Sequence, residues 1–153
     1  MLKALLLTFG TALLPVLEIR GAIPVGIANG LDAWTAYIVG VIGNMLPIPF
    51  LILLARHIIA WLQKHNILVK FTSWLQRKGK EKSKAVERSS FWGLMILVAI
   101  PLPGTGAWTG ALVASLLDMS LKRSLPAITL GVLIAGAIVL AVTFGVISVG
   151  AMV

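Results

Sequence analysis

Four stretches of this sequence, residues 4–31, 33–55, 89–117 and 124–153, are apolar, and the only charges inside them are Glu18 and Arg20. Each stretch has 23 residues or more, where about 20 suffice to cross the hydrocarbon of a bilayer. The chain has too little polar surface to cover so much apolar sequence in water. It is 59% hydrophobic and 12% charged, against about 45–50% and about 25% for an ordinary soluble domain. That balance excludes a disordered segment, a nucleic-acid-binding domain and a soluble enzyme core, and it implies an integral membrane protein. The absence of cysteine excludes disulfides, thiolate metal sites and cysteine nucleophiles. At 153 residues the chain suits a single membrane domain.

The net charge of +8 is concentrated rather than spread. Residues 56–88 carry Arg56, Lys64, Lys70, Arg77, Lys78, Lys80, Lys82, Lys84 and Arg88 against Glu81 and Glu87, which places +7 of the +8 there. One basic segment between apolar halves is the pattern of a cytoplasmic loop under the positive-inside rule. Anionic lipid headgroups are its expected partner, and no nucleic-acid partner is expected. Residues 56–77 place Ile58, Trp61, Leu62, Leu68, Val69 and Leu75 near helical spacing with basic residues between them, so an amphipathic interfacial helix is expected. Residues 78–88 read as a solvated linker. The Met1-Leu2-Lys3 start resembles a signal peptide, but its hydrophobicity runs past any cleavage site, so the segment is expected to remain as structure.

The first and third apolar stretches are too long and too broken to be plain crossings. As straight helices of 28 and 29 residues each would reach roughly 42 Å, against about 30 Å of hydrocarbon. The first carries Pro15, Glu18, Arg20, Gly21 and Pro24 at its middle, and the third carries Pro101-Leu102-Pro103-Gly104-Thr105-Gly106. Broken backbone at membrane depth is tolerated only inside protein or beside water. Both stretches are therefore expected to be re-entrant hairpins. An offset of 86 lays Pro15 on Pro101 and Leu31-Asp32 on Leu117-Asp118. Lys122 and Arg123 then return to the side of the basic loop. The expected architecture is an all-α integral membrane protein of two inverted repeats. Each is a re-entrant helical hairpin plus one transmembrane helix, covering 1–55 and 89–153, joined by the basic amphipathic cytoplasmic segment 56–88. The expected location is the inner (plasma) membrane, multi-pass, with the basic loop cytoplasmic.

A charge at membrane depth costs at least about 2.5–3.5 kcal/mol, so Glu18 and Arg20 are functional candidates by default. Their i,i+2 spacing separates them on a regular helix, whereas an irregular tip lets them converge. Glu18 is then a candidate to exchange a proton. Arg20 is a candidate to hold a carboxylate or phosphate with its planar fork. At the second tip, Thr105 is expected to cap the returning half-helix. That would leave two half-helix N-termini, after Arg20 and after Thr105, facing the midplane, where their free N–H groups favour anions. The candidate substrate or proton site is Glu18, Arg20, Pro24, Pro101, Pro103, Gly104, Thr105 and Trp108. The blander readings are an ion pair that only neutralises itself, a tight Pro-x-Pro-Gly turn and a Trp that only packs. Pro47 and Pro49 are expected to kink the first crossing, Asn44 to hydrogen-bond a neighbouring helix, and Asp32 and Asp118 to cap helices. His57 and His65 lie in the interfacial segment, too isolated for a metal site. No nucleophile–base–acid set, phosphate loop or metal-ligand cluster occurs, so neither an enzyme nor a cofactor is expected.

The segments Leu17-Glu18-Ile19-Arg20-Gly21-Ala22-Ile23-Pro24 and Pro101-Leu102-Pro103-Gly104-Thr105-Gly106-Ala107-Trp108-Thr109-Gly110 resemble the two signature segments of the small multidrug export protein family. The resemblance extends over essentially the whole chain and implies a transporter. More distantly, two re-entrant tips bearing Glu, Arg and prolines resemble the DedA superfamily of membrane proteins, which implies translocation of lipid-carrier phosphates. This chain has no second Arg or acid at the 101–106 tip. Three functions follow as expectations: a proton- or ion-coupled secondary transporter with a midplane site, a DedA-like lipid translocase or scramblase, and a non-transporting scaffold. About four apolar units can hardly enclose a pathway alone, so a homodimer or higher homo-oligomer is expected.

Overall fold

A computed structural model describes residues 1–65, 70, 73, 84–102 and 104–150. The described residues form helices and no strands: α1 (Leu2–Leu13), α2 (Glu18–Ala28), α3 (Ala33–Met45), α4 (Ile48–Lys64), α5 (Lys84–Ala99), α6 (Ala107–Leu116) and α7 (Leu121–Gly150). Among the described residues two segments are long and apolar enough to cross a membrane, Ala33–Lys64 with 32 residues and Leu121–Ile147 with 27. The first joins α3 to α4 through a turn at Leu46 and Pro47. Leu46 N–H still donates to Ile42 O, but Pro47 has no N–H with which to continue the ladder.

Both broken stretches are helix–break–helix units, as their prolines and glycines require. In the first, α1 ends at Leu13 and α2 begins at Glu18. In the second, α5 ends at Ala99 and α6 begins at Ala107. Two sequence expectations change here. The charged residues from Lys84 onward, expected as linker, already belong to α5. The apolar crossing expected to stop at residue 55 continues as α4 to Lys64, so the amphipathic segment shares a helix with it. The rest of the expected 56–77 helix lies outside the described residues.

Small residues let the helices close on one another. Gly43 of α3 lies against Ala12 and the Phe9 carbonyl of α1. In the second half Gly131 of α7 lies against Val98 and the Met95 carbonyl of α5. Close backbone approach through glycine is the usual means of helix association in lipid, where no hydrophobic drive exists between helices. The returning helices end alike as well. Leu31 N–H donates to Gly26 O and Gly30 N–H to Ile27 O, and likewise Met119 N–H to Ala114 O and Asp118 N–H to Ser115 O. Both are Schellman ends with a left-handed residue, Gly30 at φ +89° and Asp118 at φ +52°. Asp118 therefore ends α6 instead of capping the next helix. Asp32 does cap α3, accepting from the Thr35 N–H at 2.9 Å and the Thr35 hydroxyl at 2.7 Å.

The two long segments run antiparallel. Tyr37 Oη donates to Leu133 O at 2.9 Å, Thr129 Oγ1 lies 3.9 Å from Met45 Sδ, and Arg56 donates to Met119 O. One set of numbers rises as the other falls. Ile19 and Ile23 of α2, Ile48 and Ile52 of α4, Leu94 and Val98 of α5, and Ile128 and Val132 of α7 share one core. Trp34, Phe50, Leu54, Trp61 and Val142 stay exposed outside it. Large apolar side chains on the outer face suit a protein solvated by lipid.

Candidate functional site

The two breaks meet within one chain. Glu18 opens α2 in the left-handed region, φ +48°. A residue with a Cβ is uncommon there, and such strain survives only where the surroundings impose it. Its side chain is 4% exposed and reaches α6 of the other half. One carboxylate oxygen accepts from the Ala107 N–H at 3.2 Å and the other from the Trp108 N–H at 3.1 Å. Glu18 thus supplies the N-cap that α6 lacks locally. The cap residue itself is Gly106, with φ +145° and no side chain to offer. A Cβ at Gly106 would collide with the Glu18 carboxylate. Two N–H groups and a helix N-terminus together stabilise a buried negative charge.

Arg20 turns to the other end of the same break. Its Nη1 donates to Leu102 O, and Nη2 donates to Thr105 Oγ1 at 3.2 Å. The Thr105 hydroxyl in turn donates to Ile100 O at 2.7 Å and accepts from the Leu102 N–H at 3.3 Å. Thr105 therefore closes the turn and receives the guanidinium, which corrects its expected role as the cap of α6. The expectation of free anion-seeking N-termini is corrected with it. Arg20 lies inside α2, and the first N–H groups of α6 are already taken by the protein's own carboxylate.

The remaining candidates fall around this junction. Pro24 sits one turn past Arg20 inside α2, where its missing N–H leaves the Arg20 carbonyl without its usual donor. Pro101 is half-buried in the second break, and Gly104 occupies an open, exposed turn position at φ +82°. The Thr109 hydroxyl donates to Gly104 O at 2.9 Å and ties that turn to α6. Pro103 lies outside the described residues. Trp108 contributes its backbone N–H to Glu18, while its indole Nε1 and the Arg20 Nε are buried without a hydrogen-bond partner.

Sequence reading missed two contributors. Leu102 acts through its carbonyl, which no side-chain pattern reveals. Gly106 was visible as the second glycine of Pro-Gly-Thr-Gly, but the reason for it is a carboxylate 88 residues earlier. Asn44 does not hydrogen-bond a neighbouring helix as expected. It is fully buried, and neither its Nδ2 nor its Oδ1 has a partner. Among the described residues no group of three or more His, Asp or Glu could hold a metal ion.

No curated protein and no solved structure matches this chain. Residues 18–138, from the Glu18 that caps α6 through most of α7, match the family described as "Putative small multi-drug export protein". With both breaks and the junction between them inside the matched region, the chain belongs to that family.

Proposed function

We propose that the protein is a small multi-pass secondary transporter, coupled to protons or another ion, whose site is the junction of the two breaks near the bilayer midplane. The observation that carries this is Glu18. It is a buried carboxylate from one half that caps a helix of the other, so its charge state bears directly on how the halves are joined. When Glu18 is ionised the α6 N-terminus is held. Protonation removes the charge and turns one oxygen into an O–H donor, which loosens the hold of α2 on the α6 N-terminus. Arg20 stays charged throughout and anchors α2 to the turn at Leu102 and Thr105.

The packing supports an inverted arrangement. Ala4 packs with Leu31 at the end of α1–α2 away from the junction, while Arg56 meets Met119 at the end of α5–α6 away from it. The first hairpin then enters from one face and the second from the other, a known plan for transporters with broken helices at the midplane. Arg56, Lys64, Lys122 and Arg123 fall on one side, the cytoplasmic side by the positive-inside rule.

The test is flux in liposomes under an imposed pH gradient. Glu18→Gln keeps the size and one acceptor oxygen, so the protein should fold and insert while proton-dependent flux falls at least tenfold. Normal flux by this variant at every pH would sink the reading. A second reading, translocation of an anionic lipid headgroup, is favoured by the donors that Glu18 occupies: once it withdraws, Ala107 N–H, Trp108 N–H and Arg20 remain. Parallel assays with a lipophilic cation and a fluorescent anionic phospholipid separate the two.

A further inference from the structure

Asn44 is the largest unexplained polar group in the core. It is 0% exposed, and its amide offers two donors and an acceptor with no protein partner for either atom. Buried polar groups are almost always satisfied by protein or ordered water, so an orphan at full burial calls for a ligand. Its place is informative. Gly40, one turn earlier on the same face of α3, lies against Ile19, Ala22 and Ile23. The next turn carries Asn44 about 6 Å further along α3, toward the start of α2 where Glu18 stands. On the other side, the neighbouring Met45 meets Thr129 of α7. Directly after it the helix breaks: Pro47 and Pro49 lack an N–H, so the carbonyls of Gly43 and Met45 lose their i+4 donors. An amide with both functions free, beside carbonyls that lack their i+4 donors and one helical turn past the contact with Ile19, has the donor and acceptor set of a water site.

We infer that Asn44 is the fixed polar member of an internal water site through which Glu18 exchanges its proton. In the exchange the carboxylic O–H of Glu18 breaks and its proton joins the water, which the Asn44 amide orients; the carboxylate returns to the N–H groups of Ala107 and Trp108. The amide keeps its own protons and acts as a positioning residue. The titratable groups among the described residues around Glu18 are Arg20 on α2 and Tyr37 on α3. The α6 and α7 residues packed there, from Gly106 to Leu116 and from Ser124 onward, bring none; α1 sets the hydroxyls of Thr8 and Thr11 against α2 and carries Lys3 at its far end, and α4 carries Arg56 and His57 more than two turns past its start. This inference rests on the proposed role of Glu18 as the proton-exchanging group.

The experiment needs no substrate. Infrared spectra of the purified protein in phosphatidylcholine–phosphatidylglycerol liposomes follow the carboxylic C=O band after a pH jump, and Glu18→Gln identifies the Glu18 band by its loss. Asn44→Leu keeps the volume and removes the amide, so it should retain the fold while the Glu18 band appears at least tenfold more slowly. Asn44→Ser, which restores a hydroxyl, should recover the rate to within about threefold. Unchanged kinetics in Asn44→Leu would overturn the water site while leaving the role of Glu18 intact. A titrating carboxyl band that survives Glu18→Gln would instead remove the reading beneath it. Should Asn44→Leu fail to insert, slow kinetics in the folded Asn44→Ser would equally overturn the inference. An experimental map lacking a water within hydrogen-bonding distance of the Asn44 amide would do the same.

Discussion

At the first break and the start of α2, residues 14–20, the chain contributes a carboxylate and a guanidinium; at the second break and the start of α6, residues 100–108, it contributes carbonyls, a hydroxyl and N–H groups. The helices around these breaks are nonetheless packed alike, with Gly43 on Phe9 and Ala12 and Gly131 on Met95 and Val98. The same frame thus carries two different surfaces. The first half presents side-chain charge and the second presents backbone polarity arranged to receive it. Neither half is complete alone. The Glu18 carboxylate would be an unpaired charge in an apolar environment without α6, and the first turn of α6 would be uncapped without Glu18.

That asymmetry can be broken most severely at Gly106. Gly106→Ala places a Cβ on the Glu18 carboxylate and forces alanine to φ +145°. A lost cap and a strained backbone together should cost about 3 kcal/mol, read as a fall in thermal midpoint in detergent. Gly104→Ala is the control, because its φ is also positive, +82°, but nothing lies within 4 Å of the added atom. It should cost only about 1 kcal/mol. Equal losses at the two positions would mean that Glu18 is not the neighbour that matters.

The shared frame gives a second, smaller comparison. A Cβ at Gly131 would lie 2.6 Å from Val98 Cβ and 2.8 Å from Met95 O, whereas at Gly43 the closest atoms are Ala12 Cβ at 2.9 Å and Phe9 O at 3.0 Å. Both substitutions to Ala overpack, at about 1–3 kcal/mol each, and Gly131→Ala should be the worse. Ala12→Gly should partly rescue Gly43→Ala, since it removes the closest atom. If Gly43→Ala proves neutral, the two halves do not share this contact in solution.

The smallest effect belongs to Asp32. The Thr35 N–H and hydroxyl hold its carboxyl below the usual carboxylate range. A group with a lowered folded-state value stabilises above its unfolded value and loses that contribution as pH falls through the folded one. The difference in thermal midpoint between wild type and Asp32→Ala should therefore shrink below about pH 4. A difference that is flat from pH 7 down to pH 3 would remove the cap from the account.

Much of the architecture was legible because apolar length and helix breakers are local signals. The prolines and glycines at 15–24 and 101–106 mark both breaks, and the membrane spans follow from uncharged length. The exact helix starts were less legible. Lys84 to Arg88 reads as solvated linker by charge, yet Lys, Ala, Glu and Arg are all good helix formers. Within the junction, Glu18 and Arg20 stood out because charge is expensive in hydrocarbon. Their partners did not, because backbone N–H and C=O groups occur at every residue and only the fold selects which are free. Thr105 illustrates the limit: threonine before a helix suggests a cap, but here its hydroxyl is committed to Ile100 O and Leu102 N–H, and a residue 87 positions away does the capping.

The cap that Glu18 places on α6 also has a consequence for synthesis. The carboxylate and its first donor are separated by 89 residues. At about 5–20 residues per second a ribosome needs roughly 5 to 20 s to make the intervening chain. Toward the end of that interval α1 and α2 have left the exit tunnel with the Glu18 carboxyl still lacking the helix it caps. The first half can therefore reach its final hydrogen bonding only after α6 has been made, and a nascent chain stopped before Ala107 would carry its most expensive group with no protein partner from the second half.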